Sequence, residues 1–430
     1  MAHQTAKNGY RKLADRLNQF PQGAPPTELL FQILRVLASE KEAHWLSQVP
    51  IRPFKAEKAA VSWRVSTSEA AKRLNELAER CLLLDMETDS GTLYMLPPPM
   101  AGFFEFSLMR LRDDIDQPLL SQLFYQYITT EEDFIRDLML KEGTPIGRAY
   151  VNEEALDRDN QLHVLDYEKA SEIMRQAKDI AVGMCYCRHK ASHTTGTCQA
   201  PMDICMTFGN TADTLIRHGY ARRVELSECL DLLDLAYEHH LVQFGENVQR
   251  QPSFICNCCG CCCEALIAAR KFGLLNPVET TQYLPDISSH ACTGCGRCVK
   301  VCPVEALGLV SANDPQKPDR KIARLDERVC LGCAVCVRAC PVDQTIKLKR
   351  RPQQIVTPVT SVHRIVMMAI ERGKLQNLIF DNQAHLSHRA MAAVLGAILK
   401  MPPIKQIMAS SQMKSRYLGS LISRVKPGNV

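Results

Sequence analysis

The chain has 430 residues, 46% hydrophobic and 23% charged, more than one compact core usually holds, which predicts two to four domains. This composition excludes a wholly disordered or collagen-like chain. The net charge of +5 hides an asymmetry: residues 345–430 carry fourteen Lys and Arg against Glu371 and Asp381, a balance of +12, and residues 1–344 are left at −7.

Residues 1–26 form an N-terminal segment that lacks the apolar stretch and small-residue cleavage site of a secretory signal. No run of roughly eighteen apolar residues occurs anywhere, so the expected location is cytoplasmic. Residues 27–108 have a readable layout. Thr27 is placed to cap a helix with Leu29, Leu30, Ile33, Leu34 and Leu37 on one face, and Ser66 with Glu69 precedes a second helical pattern, Ala70, Leu74, Leu77 and Cys81. Residues 82–87, a turn at 88–91 and residues 92–96 then read as strand, turn and strand. Helices followed by a hairpin resemble a winged helix. This region holds nine Lys and Arg against eleven Asp and Glu, and Lys72, Arg73 and Arg80 are balanced by Glu69, Glu76 and Glu79. Nucleic-acid binding calls for excess cations, so the composition argues against it.

Residues 109–180 read as a helical linker, its last helix capped by Asp166, continuing through Ile180 and stopped by Gly183. A cysteine-rich region, 181–275, follows. Its ten candidate ligands are Cys185, Cys187, Cys198, Cys205, Cys256, Cys258, Cys259, Cys261, Cys262 and Cys263. In a reducing compartment such density reads as metal binding rather than disulfides. Six of these cysteines fall within eight residues and cannot all ligate one tetrahedral ion, which favours iron–sulfur over zinc. Two further cubane clusters with two thiols to spare, one cluster of unusual shape, and a site with an open ligand position all remain compatible. Arg188, His189, Lys190 and His193 supply donors or cations beside the first pair, or else form a solvated basic loop. Cys81 and Cys229 fall at apolar helical positions and read as core.

Residues 276–350 contain the chain's one internal repeat: CTGCGRCVKVCP at 292–303 recurs as CLGCAVCVRACP at 330–341. The spacing C-x2-C-x2-C-x3-C-P resembles that of bacterial dicluster ferredoxins. The resemblance implies a small βαβ pseudo-repeat binding two [4Fe–4S] clusters. One would be held by Cys292, Cys295, Cys298 and Cys340, the other by Cys330, Cys333, Cys336 and Cys302. The Cys258-Cys259-Gly260 step has a faint likeness to the paired cysteines of heterodisulfide-reductase-type domains, without that family's full pattern. As a whole the chain resembles ferredoxin-domain proteins of anaerobic bacteria, which implies a multidomain, mainly helical α+β protein and electron transfer.

Residues 351–430 form a basic, helical tail in which Lys400, Lys405, Lys414, Arg416, Arg424 and Lys426 surround short apolar segments. Such a tail can fold over the acidic body, meet a partner, or make peripheral contact with an anionic membrane surface. No G-x-G-x-x-G after a strand and no phosphate-binding P-loop motif occurs, so a nucleotide site is not expected. The expected function is an iron–sulfur electron carrier, with one or two additional clusters, working with a flavoprotein or other oxidoreductase subunit. A redox-responsive DNA-binding regulator and a reductase with its substrate at the irregular cysteines are the alternatives.

Overall fold

The computed structural model describes residues 2–136, 138, 143–161, 164–272, 278–352, 355–381 and 386–399. Helices and strands are mixed, consistent with an α+β chain. Two compact units are present, one made of residues 1–144, 213–221 and 362–430, the other of 145–212 and 222–361.

In the first unit Thr27 caps the helix Glu28–Leu37, accepting a hydrogen bond from the Leu30 N–H at 3.2 Å, and Leu30, Ile33, Leu34 and Leu37 are buried. Ser66 does the same for Thr67–Ala78, accepting from the Glu69 N–H at 3.2 Å. The hairpin follows as β1 (Leu84–Met86) and β2 (Leu93–Met95), antiparallel with Asp85 opposite Tyr94. Two helices between the expected pair, Glu40–Leu46 and Ala56–Trp63, have no long apolar period in the sequence. They are held instead by local devices, a capping box of Ser39 with Glu42 and the packing of Trp45 on Trp63.

Part of the basic tail belongs to this unit. Arg372 donates to the carbonyls of Gln22 and Leu138, Lys374 to those of Asn18 and Phe20, and buried Asp381 accepts the N–H groups of Ile51 and Arg52. Arg372 and Lys374 thus satisfy main-chain carbonyls of residues 18–22 and Leu138, and their charge serves the fold. Lys400, Lys405, Lys414, Arg416, Arg424 and Lys426 lie outside the described residues. Among the described residues no helix is long and apolar enough to cross a membrane.

The second unit is built on a seven-stranded sheet. Its strands are β3 (Gly147–Ala149), β4 (Ile180–Met184), β5 (Asp203–Phe208), β6 (Ala221–Arg223), β7 (Val242–Glu246), β8 (Phe254–Cys258) and β9 (Val278–Glu279), in the order β6-β4-β5-β8-β7-β3-β9. The helix expected to run through Ile180 stops at Gln176, and Ile180 opens β4. Ile180, Ala181 and Val182 are all buried. Consecutive buried residues suit a strand covered on both faces, whereas a surface helix buries one stripe.

After the sheet come β10 (Tyr283–Ile287), a short helix Arg297–Val301, β11 (Leu307–Ser311), β12 (Lys321–Leu325), a short helix Val335–Arg338 and β13 (Ile346–Arg350). This is strand, helix, strand given twice. Strands pair across the two halves, β10 with β13 and β11 with β12, both antiparallel.

Candidate metal centres

The strand exchange decides where the repeated cysteines meet. One cavity is lined by Cys292, Cys295, Cys298 and Cys340. A second is lined by Cys302, Cys330, Cys333 and Cys336. Each therefore has three thiols from one half and one from the other. Cys295 is exposed, and Cys292, Cys298, Cys330 and Cys336 are buried.

The residues around both cavities fit cubane iron–sulfur clusters. Backbone N–H groups point at the sulfurs: Ala323 to Cys292 at 3.4 Å, Ala306 to Cys302 at 3.2 Å and Gly332 to Cys330 at 3.4 Å. Such donors stabilise thiolate and cluster charge. Burial pushes the Cys330 thiol up to about 11 and likewise raises Cys333 and Cys336. Thiols in these surroundings stay protonated near neutral pH unless a bound metal supplies positive charge. Gly332, at φ 72°, explains one tight point: a Cβ there would lie 2.2 Å from the Tyr283 carbonyl oxygen, so the loop can close over its sulfur only without a side chain.

The ten other cysteines separate into two groups. Cys185 touches Cys187 and Cys205; Cys187 touches Cys263; Cys205 touches Cys256; Cys258 touches both Cys256 and Cys263. The result is a closed ring of six thiols. Cys185 and Cys187 flank the start of the helix Tyr186–Ser192, Cys205 lies on β5, Cys256 and Cys258 stand two apart on β8, and Cys263 precedes the helix Glu264–Phe272. Alternate members accept and donate. Hydrogen bonds from their neighbours hold Cys185, Cys256 and Cys263 below the ordinary thiol range, and the same bonds push Cys187, Cys205 and Cys258 above it.

The second group is Cys198, Cys259, Cys261 and Cys262, whose sulfurs all lie within 4.8 Å of one another. Cys198 comes from the loop before β5, the other three from the turn after β8. Cys262 is buried and Cys261 exposed.

Arg188 joins the two groups and is fully buried. Its guanidinium donates to the carbonyls of Pro201 at 3.1 Å and Asn257 at 2.9 Å, bonds to Cys198, and lies near Cys185, Cys258 and Cys259. Arg188, His189 and Lys190 are all buried, so the solvated-loop reading of these cations does not hold. They sit on a helix packed into the unit, where Lys190 pairs with buried Glu264. Glu264 and Asn257 carry no sequence motif. A carboxylate directly after six cysteines was the only available signal for the first, and Asn257, whose side chain bonds Ile204 and Gln243, offered none. Cys81 and Cys229 are both buried, Cys229 in an apolar core with Met206 and Leu233, and burial raises both thiols to about 12.

No curated protein and no solved structure matches the chain. The family model of the 4Fe-4S dicluster domain matches residues 291–344, the span that holds both four-cysteine cavities, and supports a ferredoxin-like iron–sulfur domain there.

Proposed function

We propose that the chain is an iron–sulfur electron-transfer protein, a partner or subunit of an anaerobic oxidoreductase whose flavin or substrate site lies on another chain. The observation that carries this reading is the pair of cavities, each offering four thiols from both halves of the repeat. When bound, [4Fe–4S] clusters accept and release single electrons. The chain's own residues hold the thiols in place, aim N–H groups at three of them and bury Cys292, Cys298, Cys330 and Cys336, with Cys302, Cys333 and Cys340 half-buried. Cys295 is the exposed exception and marks the side a redox partner would approach.

A further iron–sulfur centre is assigned to the six-thiol ring, which has more ligands than one tetrahedral ion can use. The winged-helix-like region is read as a docking module rather than a DNA reader. Arg73 and Arg80, on and just beyond its candidate recognition helix, are paired with Glu69 and Glu42 and leave little charge for phosphate. For the basic residues beyond 400 we retain peripheral contact with anionic membrane as a proposal. Pelleting with anionic liposomes that disappears on deleting residues 401–430 supports it, and no pelleting of the intact chain removes it.

The deciding experiment is iron and acid-labile sulfide per chain on anaerobically purified protein, with EPR before and after dithionite. More than about eight irons and reducible cubane signals are expected, because two [4Fe–4S] clusters account for eight. Iron-free protein, or iron that gives no signal on reduction, overturns the proposal.

A further inference from the structure

We infer that Cys198, Cys259, Cys261 and Cys262 form a closed tetrathiolate site for a single zinc ion, separate from the six-thiol ring and from both ferredoxin cavities. The first argument is metric. A tetrahedral ion with Zn–S bonds of about 2.3 Å sets its sulfurs ~3.8 Å apart. All four sulfurs here lie within 4.8 Å of one another, and those of Cys261 and Cys262 are 3.4 Å apart. A cubane cannot be grasped so tightly, because its iron corners are themselves separated and each thiolate stands further out along its own Fe–S bond. Among the described residues, no set of three ferredoxin or ring thiols forms such a group. The ferredoxin thiols instead surround open volume.

The second argument is structural need. Residues 193–202 link the helix Tyr186–Ser192 to β5 with no helix or strand of their own, and Thr195, Gly196, Thr197 and Gln199 are exposed. Its far end is held by Ala200 packing on Ile204, Ala236 and Leu241 and by Arg188 on the Pro201 carbonyl, which leaves the exposed stretch 195–199 to be fixed. Cys198 is its tie to the turn after β8, assisted by Thr197, whose hydroxyl lies 3.7 Å from the Cys262 sulfur. A four-coordinate ion with no open position is the chemistry of structural zinc. Binding is not a redox step: zinc remains Zn²⁺, four S–Zn bonds form and the thiol protons pass to solvent. The complex would carry excess negative charge, and Arg188, bonded to Cys198 and near Cys259, offsets part of it.

The test uses the full chain purified anaerobically, with zinc and iron counted on the same sample. About one zinc per chain is expected, falling at least about tenfold in Cys261→Ser, with iron and the ferredoxin EPR signals unchanged and amide exchange in residues 193–202 raised. Iron lost from Cys261→Ser, or an intact chain without zinc, overturns the site. Should Cys261→Ser fail to fold, growth of the unaltered chain with cobalt decides: visible bands of tetrahedral Co²⁺-thiolate support the site, and their absence overturns it. Iron and EPR report on the electron-transfer reading and zinc on this one, so each can fail alone.

Discussion

Gly260 lies directly against Pro303: a Cβ on Gly260 would stand 2.6 Å from the Pro303 carbonyl oxygen and 2.9 Å from its Cα. Gly260 sits between Cys259 and Cys261, and Pro303 follows Cys302, so the cysteine turn after β8 and the ferredoxin repeat meet backbone to backbone. One apolar core confirms their union, with Cys258 and Cys263 of the ring packed beside Cys330, Val304 and Leu331.

Gly260→Ala is accordingly expected to cost about 1–3 kcal/mol, because the opposing atoms are main chain and cannot rotate away. The measurements are the thermal midpoint and metal per chain. A variant equal to the parent in both would mean that the turn does not rest on Pro303.

Two glycines of similar φ give a paired experiment. Gly332 (φ 72°) has the Tyr283 carbonyl oxygen 2.2 Å from its would-be Cβ, whereas Gly196 (φ 86°) has nothing within 4 Å. Gly196→Ala meets only left-handed backbone strain, about 1–2 kcal/mol, and should keep its iron. Gly332→Ala should lose the iron of the cavity formed by Cys302, Cys330, Cys333 and Cys336. Equal iron in the two variants would contradict the close approach.

Arg188→Met should strip iron from the six-thiol ring while the ferredoxin signals persist. The change leaves the Asn257 and Pro201 carbonyls without their donor and removes the buried cation nearest Cys185 and Cys258. Removing one partner of such a buried charge cluster costs about 3–5 kcal/mol. Arg188→Lys should recover little, since a lysine cannot reach both carbonyls with a planar fork. Full iron in Arg188→Met would sink the argument.

Asp85, in the first unit, controls a pH response. Burial raises its carboxyl, but hydrogen bonds from His218 and Arg217 outweigh this and hold it at about 2. Arg217 reaches Asp85 Oδ2 at 2.6 Å and the Asp85 carbonyl oxygen at 2.8 Å. A depressed carboxyl stabilises the fold above its unfolded value near ~3.9 and loses that contribution as pH falls toward 2. After allowance for solvent screening the contribution is about 1 kcal/mol. The gap in thermal midpoint between the parent and Asp85→Asn should narrow as pH falls below about 4. A gap that stays undiminished as pH falls from about 4 to 2 would point to another group.

Much of this was legible before the structure, for identifiable reasons. Thr27 and Ser66 announce their helices because a cap is local chemistry, read from one residue and its next three. The repeat at 292–303 and 330–341 was legible because three ligands of each set lie on one loop. The seven-stranded sheet was not. β3 and β6 have three residues and β9 two, too short to show alternation, and they acquire their roles only from neighbours distant in the chain. The division of ten cysteines into six and four was also hidden. Cys256 and Cys258 share one face of β8 by strand alternation, but Cys259, Cys261 and Cys262 leave that face at a turn, and their fourth partner, Cys198, arrives from a separate loop.

The pairing of β10 with β13 sets a timetable for the chain's birth. Tyr283 is matched with Arg350 and Ile287 with Ile346, so the earliest strand of the repeat waits for the last. Cys340 is likewise needed to complete the cavity begun by Cys292. During synthesis the cavity begun by Cys292 cannot close until Cys340 and the residues through Ile346 have left the ribosome, and contacts this remote in sequence form slowly. Metal delivery to that cavity therefore has to follow translation of the whole repeat. A nascent chain arrested between residues 326 and 340 would display open thiols, without a finished site, to any oxidant or ion it met.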